Sequence, residues 1–367
     1  MTQSDDQILS SLLTMRDWLR WAASRFAEAR LVFGHGTANA LDEAAFIILS
    51  TLHLPVDQLE PWLEARLTPD ERQALLDVIR RRIETRKPAP YLIGAAYIQG
   101  HRFIVDERVI VPRSYLGELI CQVGDGGGLE PVLPPVIDRV LDLCTGSGCL
   151  AVLAALAFPG AQVDAADVSA DALAVAALNV EAHDVADRVQ LLRGDLFEAI
   201  TSARGGRLPT GESPRARQDH RGYDLILANP PYVAGAEVAA FAPEYAAEPV
   251  LAHLGGADGL DLVRRILAEA ARHLSPDGVL VMEIGTGRAF IEAELPALPF
   301  LWLDTETSEG EVLAIRRADL QGNTTPSGTT QRKTTLGKTT LGKTTLGKTT
   351  LGKTTAGKSG QRKTGEG

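Results

Sequence analysis

The chain has 367 residues, of which 45% are hydrophobic and 23% charged, a composition typical of a globular protein with room for two modest domains. No apolar run approaches the roughly 18 residues of a membrane span. The first residues lack the charged-then-apolar order of a secretion signal, so we expect a cytoplasmic protein without membrane contact. Three cysteines without a CxxC pair and seven scattered histidines disfavour a disulfide framework and a metal site.

The formal net charge of −10 is unevenly distributed along the chain. Residues 331–367 hold nine Lys and Arg and one Glu, a net charge of +8, so the first 330 residues carry −18. An acidic body therefore precedes a basic segment.

The N-terminal part of the chain has the apolar periodicity of helices. The pattern extends from Gln7 to Arg86, and Thr68 followed by Pro69 and Glu71 is a helix start signal. We predict a small helical domain over residues 1–89. Residues 90–114 alternate β-rich runs around a glycine-containing turn, which predicts a β-hairpin linker.

Beyond the hairpin, short apolar runs alternate with helical stretches over residues 115–318. The candidate strands are 139–143, 162–167, 189–193, 224–228, 278–284 and 312–315. This alternation predicts a mostly parallel sheet with helices on both faces, in which ligands bind at the carboxyl ends of the strands. Residues 201–222 are rich in Gly, Pro and charge and are predicted to form a surface insertion.

Residues 319–367 are predicted to be a disordered basic tail. The sequence "KTTLG" recurs with a five-residue period from Lys333. The stretch 337–344 matches the phosphate-loop pattern GxxxxGK[ST], but neither a strand before it nor a helix after it is indicated. Nucleotide binding is therefore not expected there.

A glycine-rich turn marks the first candidate site. In "VLDLCTGSGCLA" an apolar strand leads through Gly146 and Gly148 into an alanine-rich helix, where backbone amides can approach a ligand. Asp167 follows nineteen residues after Gly148, at the end of the next strand, where such folds bind ribose hydroxyls. The third strand is followed by Asp195 and Leu196, which could border an adenine.

The tetrapeptide Asn229-Pro230-Pro231-Tyr232 ends the fourth strand and distinguishes the site from that of a dehydrogenase. A planar amide nitrogen is a weak nucleophile because its lone pair is delocalised. If the Asn229 side chain and the Pro230 carbonyl accept its two hydrogens, the lone pair can be aimed at a methyl donor. This arrangement needs positioning rather than a strong base, and Tyr232 could wall a flat slot.

These residues resemble the bacterial protein-(glutamine-N5) methyltransferases. The motifs "DLCTGSGCLA", "DAADVS", "GDLF" and "NPPYV" occur in that order over a resemblance that covers about residues 7–317. The resemblance implies an α/β fold: a Rossmann-like class I S-adenosylmethionine-dependent methyltransferase with a mostly parallel seven-stranded sheet, preceded by a helical substrate-recognition domain. It implies S-adenosylmethionine as cofactor, bound by Cys144, Thr145, Gly146, Ser147, Gly148, Asp167, Asp195, Leu196 and Asn229. The glutamine would be held by Asn229, Pro230, Pro231 and Tyr232.

The family has two main branches, acting on class-one peptide release factors or on the third protein of the large ribosomal subunit. The stretch "VPRSYLGELI" at 111–120 lacks the Thr-Glu of the release-factor branch and is similar to the ribosomal-protein branch, although Tyr115 replaces an expected proline. The implied partner is that ribosomal protein or the assembling large subunit. Separately, the charge of +8 and the predicted disorder of the tail suggest that Lys333 to Lys363 contact ribosomal RNA weakly; an inert solvated extension is the alternative. Arg113 and Glu118 are implied to orient the pocket or partner; ordinary surface salt bridges are the alternative.

Three other functions remain open at this point. Release-factor methylation would use the same chemistry. A nucleic-acid amino-methyltransferase shares an Asn-Pro-Pro-aromatic loop, but it needs a basic face that a body of −18 does not suggest. A non-catalytic ribosome-assembly factor would have no need for the ordered set of pocket residues.

Overall fold

The computed structural model describes residues 4–124, 126–203 and 222–321, all of which lie in one compact unit spanning residues 1–324. Most of the predicted insertion at 201–222 and all but the start of the tail predicted at 319–367 lie outside the described residues. Both stay predictions of the sequence, as does the division of the chain into domains at 89 and 114.

Helices form the N-terminal part of the structure. They are α1 (Asp5–Ser11), α2 (Met15–Glu28), α3 (Ala40–Thr51), α4 (Pro69–Thr85) and α5 (Ala89–Ile93), with a 3₁₀ turn at Glu60–Trp62. Ser4, Thr14 and Thr68 each begin a helix with a capping box. The side chain of the cap residue accepts from the backbone amide three residues later, and the side chain of that later residue accepts from the backbone amide of the cap residue. Their apolar faces bury a shared core that includes Trp18 and Phe26.

The expected hairpin follows α5. Strand β1 (Ala95–Ile98) pairs antiparallel with β2 (His101–Ile104). The two residues between them, Gln99 and Gly100, both have positive φ, as a two-residue hairpin turn requires.

The predicted parallel sheet is confirmed. Its strands are β3 (Arg139–Leu143), β4 (Gln162–Asp167), β5 (Val189–Arg193), β6 (Tyr223–Ala228), β7 (Leu274–Glu283), β8 (Leu301–Leu303) and β9 (Val312–Arg316). The order across the sheet is β5-β4-β3-β6-β7-β9-β8, and the first five strands are parallel, whereas β9 is antiparallel to both neighbours.

Two details of the sheet differ from the sequence prediction. Strand β8 was not predicted, because its apolar run has only three residues, fewer than any other strand of the sheet, and Leu301 is half exposed. Strand β7 begins four residues before the predicted 278, at Leu274, through a Ser-Pro-Asp-Gly stretch that does not have the composition of a strand.

Helices cover both faces of this sheet. They are α6 (Tyr115–Cys121), α7 (Cys149–Ala157), α8 (Ala170–Ala182), α9 (Glu198–Ala203), α10 (Gly235–Val238), α11 (Asp261–His273), α12 (Arg288–Glu294) and α13 (Arg317–Gln321), with 3₁₀ turns at Pro243–Ala247, Val250–Ala252 and Gly285–Gly287. Alternate residues of the strands join separate apolar clusters: Val140 and Leu225 pack on one face, Leu141 and Ile226 on the other.

The strand order reverses between β3 and β6, and open α/β sheets bind ligands outside the carboxyl ends of the strands at such a point. Of the helices in the described ranges, none has the length and apolar character needed to cross a membrane.

Candidate active site

The turn after β3 is shaped by residues with positive φ. Cys144, Gly146 and Gly148 have φ values of 59°, 55° and 79°, and Gly148 is the N-cap of α7. A Cβ on Gly148 would lie 3.0 Å from the Cβ of Ala176, so glycine here lets α7 begin directly against α8. Gly146 has open space beside it, which leaves its backbone accessible to a ligand.

Asp142 supports this turn from below and was not singled out from the sequence. Its fully buried carboxylate accepts from the Thr145 hydroxyl at 2.5 Å and from the Ala151 amide at 3.1 Å. Burial raises the pKa of Asp142 to about 7. The signal that could have identified it is an acidic residue inside an otherwise apolar strand.

Asp167 ends β4 beside the turn. Its Oδ2 atom accepts from the Gly146 amide and its Oδ1 atom from the Ser169 amide, both at 2.9 Å. Burial raises the pKa of this carboxyl in spite of those two hydrogen bonds. Each carboxylate oxygen has further acceptor capacity, so Asp167 can still receive hydroxyl donors from a ligand.

Asp195 and Leu196 follow β5. The Asp195 carboxylate pairs with Arg265 of α11 at 2.8 Å, with both side chains 44% exposed. Leu196 has a φ of 48° and is buried, so it offers an apolar surface. Arg265 is a site residue that the sequence did not indicate, because the two partners are seventy positions apart.

Tyr232 is the most firmly fixed member of the Asn-Pro-Pro-Tyr stretch that follows β6. Its hydroxyl donates to Oε1 of Glu283 at 2.9 Å, and Oε2 of Glu283 accepts from the Ser114 hydroxyl at 2.7 Å. Burial raises the pKa of both Tyr232 and Glu283. Glu283, at the end of β7, thus links Ser114 to the hydroxyl of Tyr232.

Gly285 makes room for that ring. A Cβ on Gly285 would lie 2.7 Å from Cε2 of Tyr232, and its φ of 54° is strained for any other residue. Because Tyr232 is predicted to wall the substrate slot, we expect Gly285→Ala to displace its ring and to lower kcat on the order of 10²-fold. Steady-state kinetics of the purified variant measures this.

The matched control for this change is Gly100→Ala. Gly100 also has positive φ, at 78°, but has open space around it. Its alanine variant carries the same kind of backbone strain without a displaced ring, so its kcat should equal that of the unmodified protein. An equal loss in both variants would show that backbone strain, not the tyrosine, is responsible.

A cavity of about 570 Å³ collects most of the predicted site residues at the carboxyl ends of the strands. Those lining it are Cys144, Gly146, Asp167, Asp195, Leu196, Asn229 and Pro231. Thr145, Ser147, Gly148, Pro230 and Tyr232 do not line it and lie behind or beside its wall. Ser147, for example, is buried, and its backbone carbonyl accepts from the side-chain amide of Asn179 at 2.8 Å.

The opposite wall of the cavity is a loop at residues 249–256, which the sequence prediction did not place at the site. The Val233 amide donates to the His253 carbonyl, and the Gly255 amide to the Val233 carbonyl, both at 2.9 Å. A Cβ on Gly255 would lie 2.6 Å from the Pro231 carbonyl oxygen. The backbone of this loop therefore pairs with Val233, the residue that follows Tyr232.

Glu248, which directly precedes this loop, anchors it to Val111 and Arg113 at the end of the predicted linker. Its carboxylate, fully shielded from solvent, accepts from the Val111 amide at 2.9 Å and from both Nη atoms of Arg113 at 2.7 Å each. Nε2 of His253 lies 3.0 Å from the same group. Burial alone would raise the pKa of Glu248, but Arg113 and His253 hold it well below its usual range.

Arg113 therefore anchors the active-site loop through the buried carboxylate of Glu248, while 30% of its own side chain stays exposed. Glu118 does not pair with it: the Glu118 carboxylate accepts from the Glu306 amide at 2.9 Å and from the Gln122 side chain at 3.3 Å.

Residues 244 and 245, just before this loop, contact the N-terminal helical part. Buried Glu244 accepts from the Val32 amide at 3.0 Å and pairs with Arg86 at 2.6 Å. The Tyr245 ring packs against His35 with centroids 4.3 Å apart.

Among the described residues, no group of His, Cys, Asp or Glu is arranged to hold a metal ion.

This sheet order, with a nucleoside-sized cavity at the reversal of strand order, defines a Rossmann-like methyltransferase fold of class I. The family model "Methyltransferase small domain" matches residues 129–205.

The ribosomal protein uL3 glutamine methyltransferases of Bradyrhizobium diazoefficiens and Burkholderia pseudomallei are 53% and 51% identical to the chain, over 84% of it in each case and 92% and 95% of their own lengths. That of Neisseria gonorrhoeae is 47% identical over 86% of this chain and 99% of its own. The chain belongs to the ribosomal protein uL3 glutamine methyltransferase family.

Solved structures show more distant likenesses. A human methyltransferase 10 domain containing protein is 16% identical, with a TM-score of 0.40 over 65% of this chain and 92% of its own. A ribosomal protein L11 methylase from Lactobacillus delbrueckii subsp. bulgaricus is 19% identical, with a TM-score of 0.36 over 58% of this chain and 82% of its own.

Proposed function

We propose that the protein transfers a methyl group from S-adenosylmethionine to the side-chain amide nitrogen of a glutamine in ribosomal protein uL3. The observation that carries this proposal is the cavity that brings Asp167 and Leu196 together with Asn229 and Pro231. The names of the relatives agree with it. On the same basis we propose that the protein acts in the cytoplasm.

The lining of the cavity fits the cofactor. S-adenosylmethionine, when bound, supplies a methyl group made electrophilic by a positively charged sulfur. Asp167 would accept from the ribose hydroxyls, and buried Leu196 would contact the adenine. The open backbone at Gly146 would admit the close approach of the amino-acid part. Of the carboxylates in the lining, Asp195 pairs with Arg265 and Asp261 with Arg264, whereas Asp167 forms no ion pair with a described residue, so its charge can face a cationic ligand.

The substrate amide would be held by the Asn-Pro-Pro-Tyr stretch. The Asn229 side-chain oxygen and the Pro230 carbonyl would accept the two amide hydrogens, and the Tyr232 ring would form one wall of the slot. Glu283 keeps Tyr232 in place through its hydrogen bond. Glu283 already accepts from Tyr232, Ser114 and the Tyr115 amide, so it acts as a positioning group rather than a general base.

The test of this function is to incubate the purified protein with labelled S-adenosylmethionine and, separately, uL3, a class-one release factor and ribosomal RNA. Mass spectrometry then maps the methylated residue. The expected product carries one methyl group on a uL3 glutamine. A methylated nucleobase would overturn the proposed reaction, and methylation of the release factor alone would move the protein to the other substrate. The sequence-based prediction of RNA contact through residues 331–367 stays untested by the described residues.

The role of Asp167 gives a separate prediction for cofactor binding. Asp167→Ala removes a charged acceptor from the cavity, and hydrogen bonds to charged groups contribute about 1.5–3 kcal/mol each. We therefore expect the affinity for S-adenosylhomocysteine, measured by calorimetry, to fall about 10- to 100-fold. Asp164→Asn is the control: Asp164 lies on the same strand and accepts from Tyr223 and Arg139, but does not line the cavity. Equal affinities of the Asp167 variant and the unmodified protein would contradict the assignment.

A further inference from the structure

A second cavity, of about 390 Å³, lies between α3, the hairpin and the segment that leads to Arg113. It is separate from the cofactor cavity and shares no lining residue with it. Pro112 lines it and directly precedes Arg113, the residue that Glu248 binds. An occupant of this cavity would therefore contact the same junction that anchors the active-site loop.

Two aromatic rings form part of the cavity wall. Phe46 of α3 and Tyr97 of β1 meet edge to face, with centroids 6.3 Å apart and planes at 82°. Tyr97 remains 37% exposed, so its ring is available to a ligand. Aromatic faces attract cations and pack well against aliphatic chains.

Two carboxylates at the exposed edge of the cavity lack a cationic partner. Asp42 accepts from the Asn39 side chain at 2.7 Å, and neither Asp42 nor Asp57 forms an ion pair with any residue in the described ranges. Their charges are therefore not neutralised within this part of the chain.

A buried histidine adds a third acceptor. His35 lines the cavity, is 1% exposed, and neither of its ring nitrogens has a hydrogen-bond partner among the residues the structure describes. Its Nε2 atom lies 3.6 Å from the Glu248 carboxylate, beyond hydrogen-bond distance. A neutral imidazole carries one acceptor nitrogen. Asp42, Asp57 and His35 thus each have acceptor capacity for a hydrogen-bond donor from a ligand.

We propose that this cavity is a subsite for a cationic side chain, arginine or lysine, of the protein substrate. Such a side chain places an aliphatic stem against Phe46 and Tyr97 and presents its N–H donors to the carboxylates. Arginine suits the site best, because its planar guanidinium both stacks on aromatic rings and donates five hydrogen bonds. The proposal rests on the proposed function: a ribosomal protein that contacts the RNA backbone is rich in such residues.

The test uses the full-length protein with intact uL3 and S-adenosylmethionine. The double variant Asp42→Asn and Asp57→Asn keeps the size of both side chains and removes the two charges. We expect its KM for uL3 to rise about tenfold, equivalent to the loss of about 1.4 kcal/mol of binding. We expect kcat and the KM for S-adenosylmethionine to stay unchanged. Tyr97→Ala should raise the KM for uL3 independently of charge.

The matched control is the double variant Asp70→Asn and Asp77→Asn. Both residues are exposed on α4 and neither lines the cavity, so the same net charge is removed elsewhere in the N-terminal part. Asp42 and Asp70 each lie in the first turn of a helix, which also matches the loss of favourable helix-dipole contact.

The outcomes separate the subsite from the proposed function. A rise in the KM for uL3 in the cavity variant alone supports the subsite. An unchanged KM, an equal rise in the control, or a change in kcat alone would overturn it while leaving uL3 methylation in place. If the unmodified protein fails to methylate uL3, the proposed function and the subsite fall together.

Discussion

Replacing Asn229 with alanine is expected to lower kcat for uL3 methylation by at least ~100-fold, the usual loss when one preorganised polar group at a reacting centre is removed. Asn229 directly follows β6 and lines the cavity of about 570 Å³ together with Pro231. Without its side-chain oxygen, one amide hydrogen of the substrate loses its acceptor and the nitrogen lone pair is no longer aimed. Binding of S-adenosylhomocysteine, measured by calorimetry, should remain detectable.

The control for this variant is Thr68→Ala, which removes the N-cap of α4 far from the cavity. It should cost about 1 kcal/mol of stability and leave kcat intact. Turnover by the Asn229 variant at the unmodified rate would remove this residue from the proposed chemistry. A loss of rate matched by the Thr68 variant would trace the effect to stability.

Replacing Glu248 with glutamine is expected to lower stability by about 3 kcal/mol, because it removes a buried charge to which the Val111 amide and the partly exposed Arg113 donate. Arg113 is held by two hydrogen bonds of 2.7 Å to a carboxylate whose side chain is 0% exposed. Glutamine keeps the shape of the side chain but offers one oxygen and no charge. Urea unfolding followed by circular dichroism measures the difference.

The comparison variant is Glu64→Gln. Glu64 pairs with Arg16 at 2.7 Å, but the two side chains are 76% and 60% exposed, so water screens the pair. Its loss should cost less than about 1 kcal/mol. Similar losses at Glu248 and Glu64 would show that burial does not strengthen the Glu248 contacts.

The pH dependence of stability provides a second readout for Glu248. Its pKa in the folded protein is below the value of 4.5 of an ordinary glutamate. The stability that this carboxylate contributes is therefore fully present above about pH 4.5 and is lost as the pH falls towards the folded-state pKa. Unfolding measured between pH 5 and 3 should depend less on pH in Glu248→Gln than in the unmodified protein.

Local sequence patterns were sufficient to predict most of the helices and strands and the motif residues that directly follow the strands. Apolar runs separated by helical stretches predicted six of the seven strands, because a doubly covered parallel sheet needs strands that are apolar on both faces. The glycine turn, Asp167 and Asn229 could be predicted because each directly follows a strand, and the carboxyl ends of parallel strands meet at one edge.

Contacts between distant residues were decided only by the tertiary structure. Glu248 and Arg113 are 135 positions apart, and Glu283 and Ser114 are 169 apart. No periodicity links such partners, since a buried ion pair depends on which surfaces pack together and how much water they exclude. The loop at 249–256 became a wall of the cavity for the same reason: its backbone pairs with Val233.

The sequence by itself determined the class of fold and predicted a glycine turn for the cofactor and a stretch that would hold an amide, because these depend on backbone geometry within a few residues. Only the tertiary structure decided that Arg113 anchors the active-site loop through buried Glu248, that Glu283 fixes Tyr232, and that a second cavity lies beside Pro112. Each of these depends on side chains brought together from separate elements, and their energies come from burial, which the order of residues does not show.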